Sequence, residues 1–235
     1  MKIPPRTLFA FLVLCFVAGC HNRSNTAVGP AAKLASARIA NARDVDNVRA
    51  IPAPSGHFDY YLFTLSWAPE YCHGHRNSPE CDGSHPGFVV HGLWPQYASG
   101  HWPSNCSSAP GLSNPASMLD IMPSPRLIAH EWTTHGTCTG LTAQQYFRTV
   151  RQAYNKIKIP AEFTNPSQTS RQSAAQVKQL FAAGNPGMST DGMAVSCHNR
   201  YLSGVEFCLS KTLAPVACQM VRDCTAASII VPSAR

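Results

Sequence analysis

The chain has 235 residues and a formal net charge of +7, a length that suits one ordinary domain with a sizeable core and argues against two. The charge is uneven: residues 1–56 hold seven Lys/Arg against two Asp/Glu, and residues 57–235 hold twelve against ten. The folded part is therefore only mildly basic near neutrality, which excludes a constitutively cationic domain. Its nine histidines would charge below about pH 6.5 and favour a polyanion there.

The first segment, "MKIPPR" followed by "TLFAFLVLCFVA", is a short basic stretch and a compact apolar run. It is too short for a transmembrane helix and has the form of an export signal. It ends in "VAGC", Val17 to Cys20, which resembles a bacterial lipobox. In that pattern cleavage precedes the cysteine and its sulfur is lipidated. Residues 1–19 are then a signal peptide and Cys20 is the mature N-terminus and membrane anchor. The competing reading is a plain signal peptide with a chance cysteine. Residues 20–56 are rich in Ala, Arg, Asn and Pro and read as a tether, with one short helix ended by "IPAPSG".

The domain is expected over residues 57–235. "FDYYLFTLSW" and "GFVVHGLW" are aromatic and β-branched and read as buried strands, the second bounded by Gly87 and Pro95. Residues 96–117 are dense in Pro, Ser, Asn and Gly and read as loop, with a short helix from Leu112 to Met122. A helix follows with Ser124 as N-cap and Pro125 in its first turn, carrying "RLIAHEWTTHGTC" and ending near Gly136. "TAQQYFRTVRQAYNKI", capped by Thr142, and "SRQSAAQVKQLFAAG", closed by Gly184, have amphipathic spacing. "GMAVSC", "YLSGVEFCLS" and "SIIVP" read as strands. Strands at both ends with helices between predict a single α+β domain, with several helices on a central, mostly antiparallel sheet.

Cysteine usage supports export. Cys15 lies in the leader and Cys20 is the candidate anchor. Eight remain: Cys72, Cys81, Cys106, Cys138, Cys197, Cys208, Cys218 and Cys224. An even number in an exported domain suggests a disulfide framework, whose 105 pairings the residues alone leave open. Metal binding is the competing reading, weakened by the lack of any C-x-x-C pair.

"HEWTTHGTC", residues 130–138, looks at first like the zinc motif H-E-x-x-H, but His130 and His135 are five apart. On a continuous helix an i, i+4 pair differs by about 40° and an i, i+5 pair by about 140°. Both zinc histidines need one face, so no metal is expected. Glu131 and His135 are the i, i+4 pair, which suits acid–base work.

"HGLWPQ" at 91–96 and "HEWTTHGTC" at 130–138 occur together. The pair resembles the H-G-L-W-P and H-E-W-x-K-H-G-T-C motifs of the ribonuclease T-two family, the secreted acid endoribonucleases. "SWAPEYC", "WPSNC" and the late cysteines resemble the family's flanks, so the resemblance covers roughly residues 57–231. It implies metal-independent, cofactor-free cleavage of single-stranded RNA by transphosphorylation through a 2′,3′-cyclic phosphate, with low base specificity and no action on DNA. It implies His135 as base toward the 2′-OH and His91 as acid toward the leaving oxygen. His130 would contact the phosphate, and Glu131 would stabilise the transition state. Trp94 and Trp102 resemble the family's aromatic pair for base stacking, and Gln96 stands where some members carry Asp. The implied disulfides are Cys72–Cys81, Cys106–Cys138, Cys197–Cys224 and Cys208–Cys218.

The chemistry holds without the family. RNA carries its own nucleophile, so cleavage needs a base, an acid and donors for the developing phosphoryl charge. Trp67 and Trp132 are expected in the core, and His57, His73, His75, His85, His101 and His198 are expected to be structural. Thr134 departs from the family's Lys and brings a hydroxyl without charge; Arg126 is a candidate substitute. A catalytically weakened RNA-binding or toxin-like module of the same fold is the alternative, and a zinc hydrolase a weaker one. The protein is expected to be monomeric.

Overall fold

The structure, a computed structural model, describes residues 50–51, 55–78, 81 and 87–234. The leader, Cys20, most of the tether and His85 lie outside the described residues. The latter fall within one compact unit, residues 40–235. None of their helices is long and apolar enough to cross a membrane.

The strands are β1 (Ala50–Ile51), β2 (Tyr60–Trp67), β3 (Phe88–Gln96), β4 (Trp102–Pro103), β5 (Ser170–Gln172), β6 (Met193–His198), β7 (Tyr201–Leu209) and β8 (Ile229–Val231). The helices are α1 (Ala68–Gly74), α2 (Pro125–Thr134), α3 (Ala143–Lys156) and α4 (Ala174–Gly184). The main sheet runs β3-β2-β7-β8-β5, with β6 also on β7. All its pairings are antiparallel except β7 with β8. This is the expected α+β fold. Ala50 and Ile51, within the segment read as tether, pair in parallel with β4.

The period-2 alternation of β2 divides its side chains between two clusters. Tyr61, Phe63, Leu65 and Trp67 enter the main core, while Tyr60 and Leu62 join Cys208 on the opposite face. The main core continues through Phe88, Phe163, Phe181 and Phe207, with most rings meeting edge-on and Phe163 stacked on Phe181. Burying each such ring stabilises the fold by roughly 1.5–3 kcal/mol. Trp67 and Trp132 are core residues as expected, 0% and 2% exposed.

Local signals explain the helices. Ser124 Oγ accepts from Leu127 N at 3.2 Å, and Pro125 occupies the first turn of α2. Thr142 and Ser173 form capping boxes with Gln145 and Gln176. β3 runs through Pro95 to Gln96, past its expected end. It is an edge strand, so the missing N–H of Pro95 costs the sheet no interior bond. The helix expected over Leu112–Met122 is a 3-10 turn, Pro115–Met118.

All four disulfides pair as the family resemblance implies. Cys106–Cys138 closes a 32-residue separation, worth about 3–4 kcal/mol in the chain-entropy view. Beside it Asn105 N donates to Thr134 O at 2.9 Å and Cys106 N to Thr137 Oγ1 at 3.1 Å. The loop after β3 is thereby fixed to the end of α2.

Candidate active site

Two elements build the site. In the β2–β3 register Thr64 faces Gly92 and Leu65 faces Val90, so His91 is the extra residue of a β-bulge. A bulge bends the strand and re-aims its side chain. His91 Nδ1 lies 3.1 Å from Ser66 Oγ, and its Nε2 lies 3.6 Å from Glu131 Oε1.

Glu131 comes from α2 and is fully buried. Its Oε2 accepts from Trp94 Nε1 at 2.7 Å, while Oε1 has no hydrogen bond. A buried carboxylate with one free oxygen is costly. The close approach depends on Gly92. A Cβ there would overlap Glu131 Oε2 and lie 2.5 Å from Trp94 Nε1. Gly92 and Ser66 were not among the residues expected to matter. A glycine inside a strand run is the signal for Gly92, because it marks a bulge or a close approach.

His135 is the C-cap of α2, with φ −117° and ψ −46°. Helical spacing describes residues only while the helix continues, and this helix ends at Thr134. The His135 N–H still bonds to Glu131 O at 3.1 Å, yet its side chain and that of His130 converge. Their ring centroids are 6.3 Å apart, and ligand atoms of His130, Glu131 and His135 all lie within 4.8 Å of one another. This corrects the angular reason given against a metal: the three groups are compact enough to hold an ion. Within the set, one Glu131 oxygen is already held by Trp94. His130 Nδ1 lies 3.4 Å from Thr134 Oγ1.

Trp94 sits between the two proposed acid–base histidines. Its ring centroid is 5.2 Å from that of His91, edge-on, and 5.2 Å from that of His135, stacked. His135 Nδ1 is buried without a partner. The structure thus brings together His91, Trp94, His130, Glu131 and His135. Gln96 is buried at the end of β3, and Trp102 is half-buried in β4 beyond the Tyr97–His101 turn. Among the described hydrogen bonds and ring contacts, neither has a partner in the cluster.

Burial disfavours charge on His91, Glu131 and His135. His91 is pushed down to about 4 and His135 to about 3, chiefly by desolvation and further by His130. Glu131 is pushed up to about 8 by desolvation, opposed by the Trp94 hydrogen bond. His91 keeps 40% of its side-chain surface in water, which softens the first of these shifts. Glu131 holds its proton up to about pH 8, while burial keeps His91 toward the neutral form. His135 is likewise neutral and able to accept a proton.

The raised Glu131 value is also a stability statement. Its contribution is fully present below the ordinary 4.5 and is lost as pH rises through about 8. The lowered histidines act oppositely, losing stability as pH falls below 6.5. Glu131→Gln keeps the shape and removes the carboxyl's titration. The Tm difference, variant minus parent, is expected to grow as pH rises from about 5 to about 8. Thermal scans across that range check it, and a constant difference contradicts it.

A model of the Ribonuclease T2 family matches residues 58–218. A ribonuclease of Aeromonas hydrophila is 34% identical over 167 residues, covering 67% of this chain and 74% of that one. This chain belongs to the Ribonuclease T2 family. Its fold recurs in an RNase-related protein from Calystegia sepium, with TM-score 0.65, 24% identity, and coverage of 76% of this chain and 99% of that one. Ribonuclease MC1 from bitter gourd seeds gives TM-score 0.60 at 25% identity, covering 73% and 99%. The matched region of this T2 ribonuclease includes both motif segments and the whole histidine cluster. Thr134 follows His130 by one helical turn, and Arg126 precedes it by one, exposed on the same face.

Proposed function

We propose that the protein is a metal-independent endoribonuclease that cuts single-stranded RNA through a 2′,3′-cyclic phosphate. The observation that carries this is the cluster of two neutral-leaning histidines around Trp94, with a proton-holding buried glutamate beneath them. His135 takes the 2′-OH proton, and the 2′-oxygen attacks the adjacent phosphorus. The bond to the 5′-oxygen breaks, and His91 supplies its proton. Water then reverses the roles and opens the cyclic ester. Glu131, kept protonated by burial, is the source of the proton that His91 delivers, and exposed His130 contacts the phosphate as charge develops there. Trp94 orients both Glu131 and His135. Trp102 and Gln96 are the proposed base contacts, with low base preference.

Thr134 lowers transition-state stabilisation relative to a lysine without removing acid or base. Arg126, on the same helix face as His130, is the cation placed to compensate. The protein acts as a monomer and spares DNA. The experiment is an RNA oligonucleotide with one 2′-deoxy residue. Cleavage is expected at every linkage except the one 3′ of that residue. Continued cleavage there would refute a 2′-OH nucleophile.

The four disulfides and the leader's composition support export, and "VAGC" supports a bacterial origin with Cys20 as a lipid anchor in the periplasm or cell envelope. Mass spectrometry of the mature N-terminus decides between a lipidated and an unmodified residue.

A further inference from the structure

A large cleft opens against α1, away from the histidine cluster itself. It encloses about 980 Å³, near the upper end of the ~300–1,000 Å³ typical of ligand clefts. Its walls come from α1 and the residues after it, β5, the turn between β6 and β7, and β8.

Among the described residues the lining is mainly cationic and aromatic. Arg76 and Arg171 are exposed, and among the described residues neither meets a carboxylate. His73, His75 and His198 add ring nitrogens. Glu70 is the carboxylate among the described lining residues, and its Oε1 already lies 3.2 Å from His198 Nδ1. Tyr71 and His75 stack in parallel, with centroids 4.2 Å apart and planes 8° apart. His75 Nδ1 lies 2.8 Å from Tyr71 O, which fixes that platform. Across the cleft Tyr201 is 43% exposed, one of two large hydrophobic side chains left so open among the described residues. Cations beside open aromatic faces are what a single-stranded nucleic acid needs: charge for phosphates and rings for bases.

One wall is shared with the site. A smaller pocket of about 140 Å³ lies against His91 and Ser66, and Tyr71 lines both it and the large cleft. Tyr71 is thus a wall common to the His91 pocket and to the cleft that holds Arg76 and Arg171.

We propose that this cleft binds the nucleotides lying 3′ of the scissile bond, extending the substrate site well beyond the reacting dinucleotide. The direction rests on His91 being the acid in the function proposed above. The oxygen that His91 protonates belongs to the downstream nucleotide, so the chain on that side runs 3′. Tyr71 with His75, and Tyr201, stack bases; Arg76 and Arg171 hold phosphates.

The test uses DNA oligonucleotides carrying one ribonucleotide, so that one linkage can be cut. One series lengthens the 3′ tail and the other the 5′ tail. With the full-length protein, kcat/KM is expected to rise with the 3′ tail by at least about fivefold, the effect of one stacked base, and to stay flat with the 5′ tail. The Arg76→Ala/Arg171→Ala double variant is expected to abolish that rise. It should also lower the slope of log kcat/KM against log salt by about 1.4 for two lost phosphate contacts. Equal gains from both tails, or a double variant that keeps the 3′ gain, overturn the proposal.

If the parent cuts no substrate, the catalytic reading fails and the cleft is tested alone by anisotropy with an uncleavable 2′-O-methyl strand. Binding that the double variant loses supports the groove. No binding by the parent overturns it and leaves the cleft to another class of partner.

Discussion

His91→Ala lowers kcat on RNA by about 10²–10⁴-fold, the usual worth of one positioned acid or base, and leaves the domain folded. His91 stands on a bulge at an edge strand, with 40% of its side chain in water, so its removal opens no core cavity. What is lost is chemical. Glu131 keeps its proton but no longer has an imidazole 3.6 Å away to pass it toward the leaving oxygen. His135→Ala removes the base and costs a similar factor. The double variant should be little slower than the worse single one, because acid and base act as a unit. Steady-state rates with thermal melting check this. A His91→Ala enzyme within about threefold of the parent contradicts the assignment.

Gly92→Ala acts through packing. The new methyl would overlap Glu131 Oε2 and press on Trp94 Nε1. Neither neighbour yields easily. Glu131 is anchored in α2 and buried, Trp94 is held between two histidines, and the Gly92 backbone is paired with Thr64. Overpacking of this kind costs about 1–3 kcal/mol, and each kcal/mol lowers Tm by about 2–4 °C at this domain size. The same displacement pulls Glu131 from His91, so kcat falls as well. A variant with the parent's Tm and kcat would show that the approach of β3 to α2 is looser than described.

How much of this was legible varies with the range of the interaction involved. Ser124 and Thr142 cap their helices through atoms three residues away, and such signals stand in the residues themselves. Strands β2, β3, β6, β7 and β8 were legible, β2 and β7 through their buried residues, but β5 was not: Ser170–Gln172 opens the segment read as a helix, which begins only at Ala174. Helix α1 was not legible, because seven residues with a proline and a cysteine show no period. The cysteine pairings are long-range, and only the family resemblance chose among them. His91 and His135 were found by their motifs, but their geometry was not. The end of α2 at Thr134 is a backbone event that the spacing of histidines does not reveal. His73, His75 and His198 looked like scattered structural residues. They share one cleft because α1 and the β6–β7 turn meet across the sheet, which no local pattern encodes.

The most direct test of the central claim is product identity. The purified domain, folded and disulfide-bonded, is incubated with an RNA dinucleotide in excess chelator at pH 5, where Glu131 holds its proton. A nucleoside 2′,3′-cyclic phosphate that accumulates before the 3′-phosphate is the predicted result. A 5′-phosphate product, or turnover only when metal is restored, would contradict histidine-driven transphosphorylation at this site.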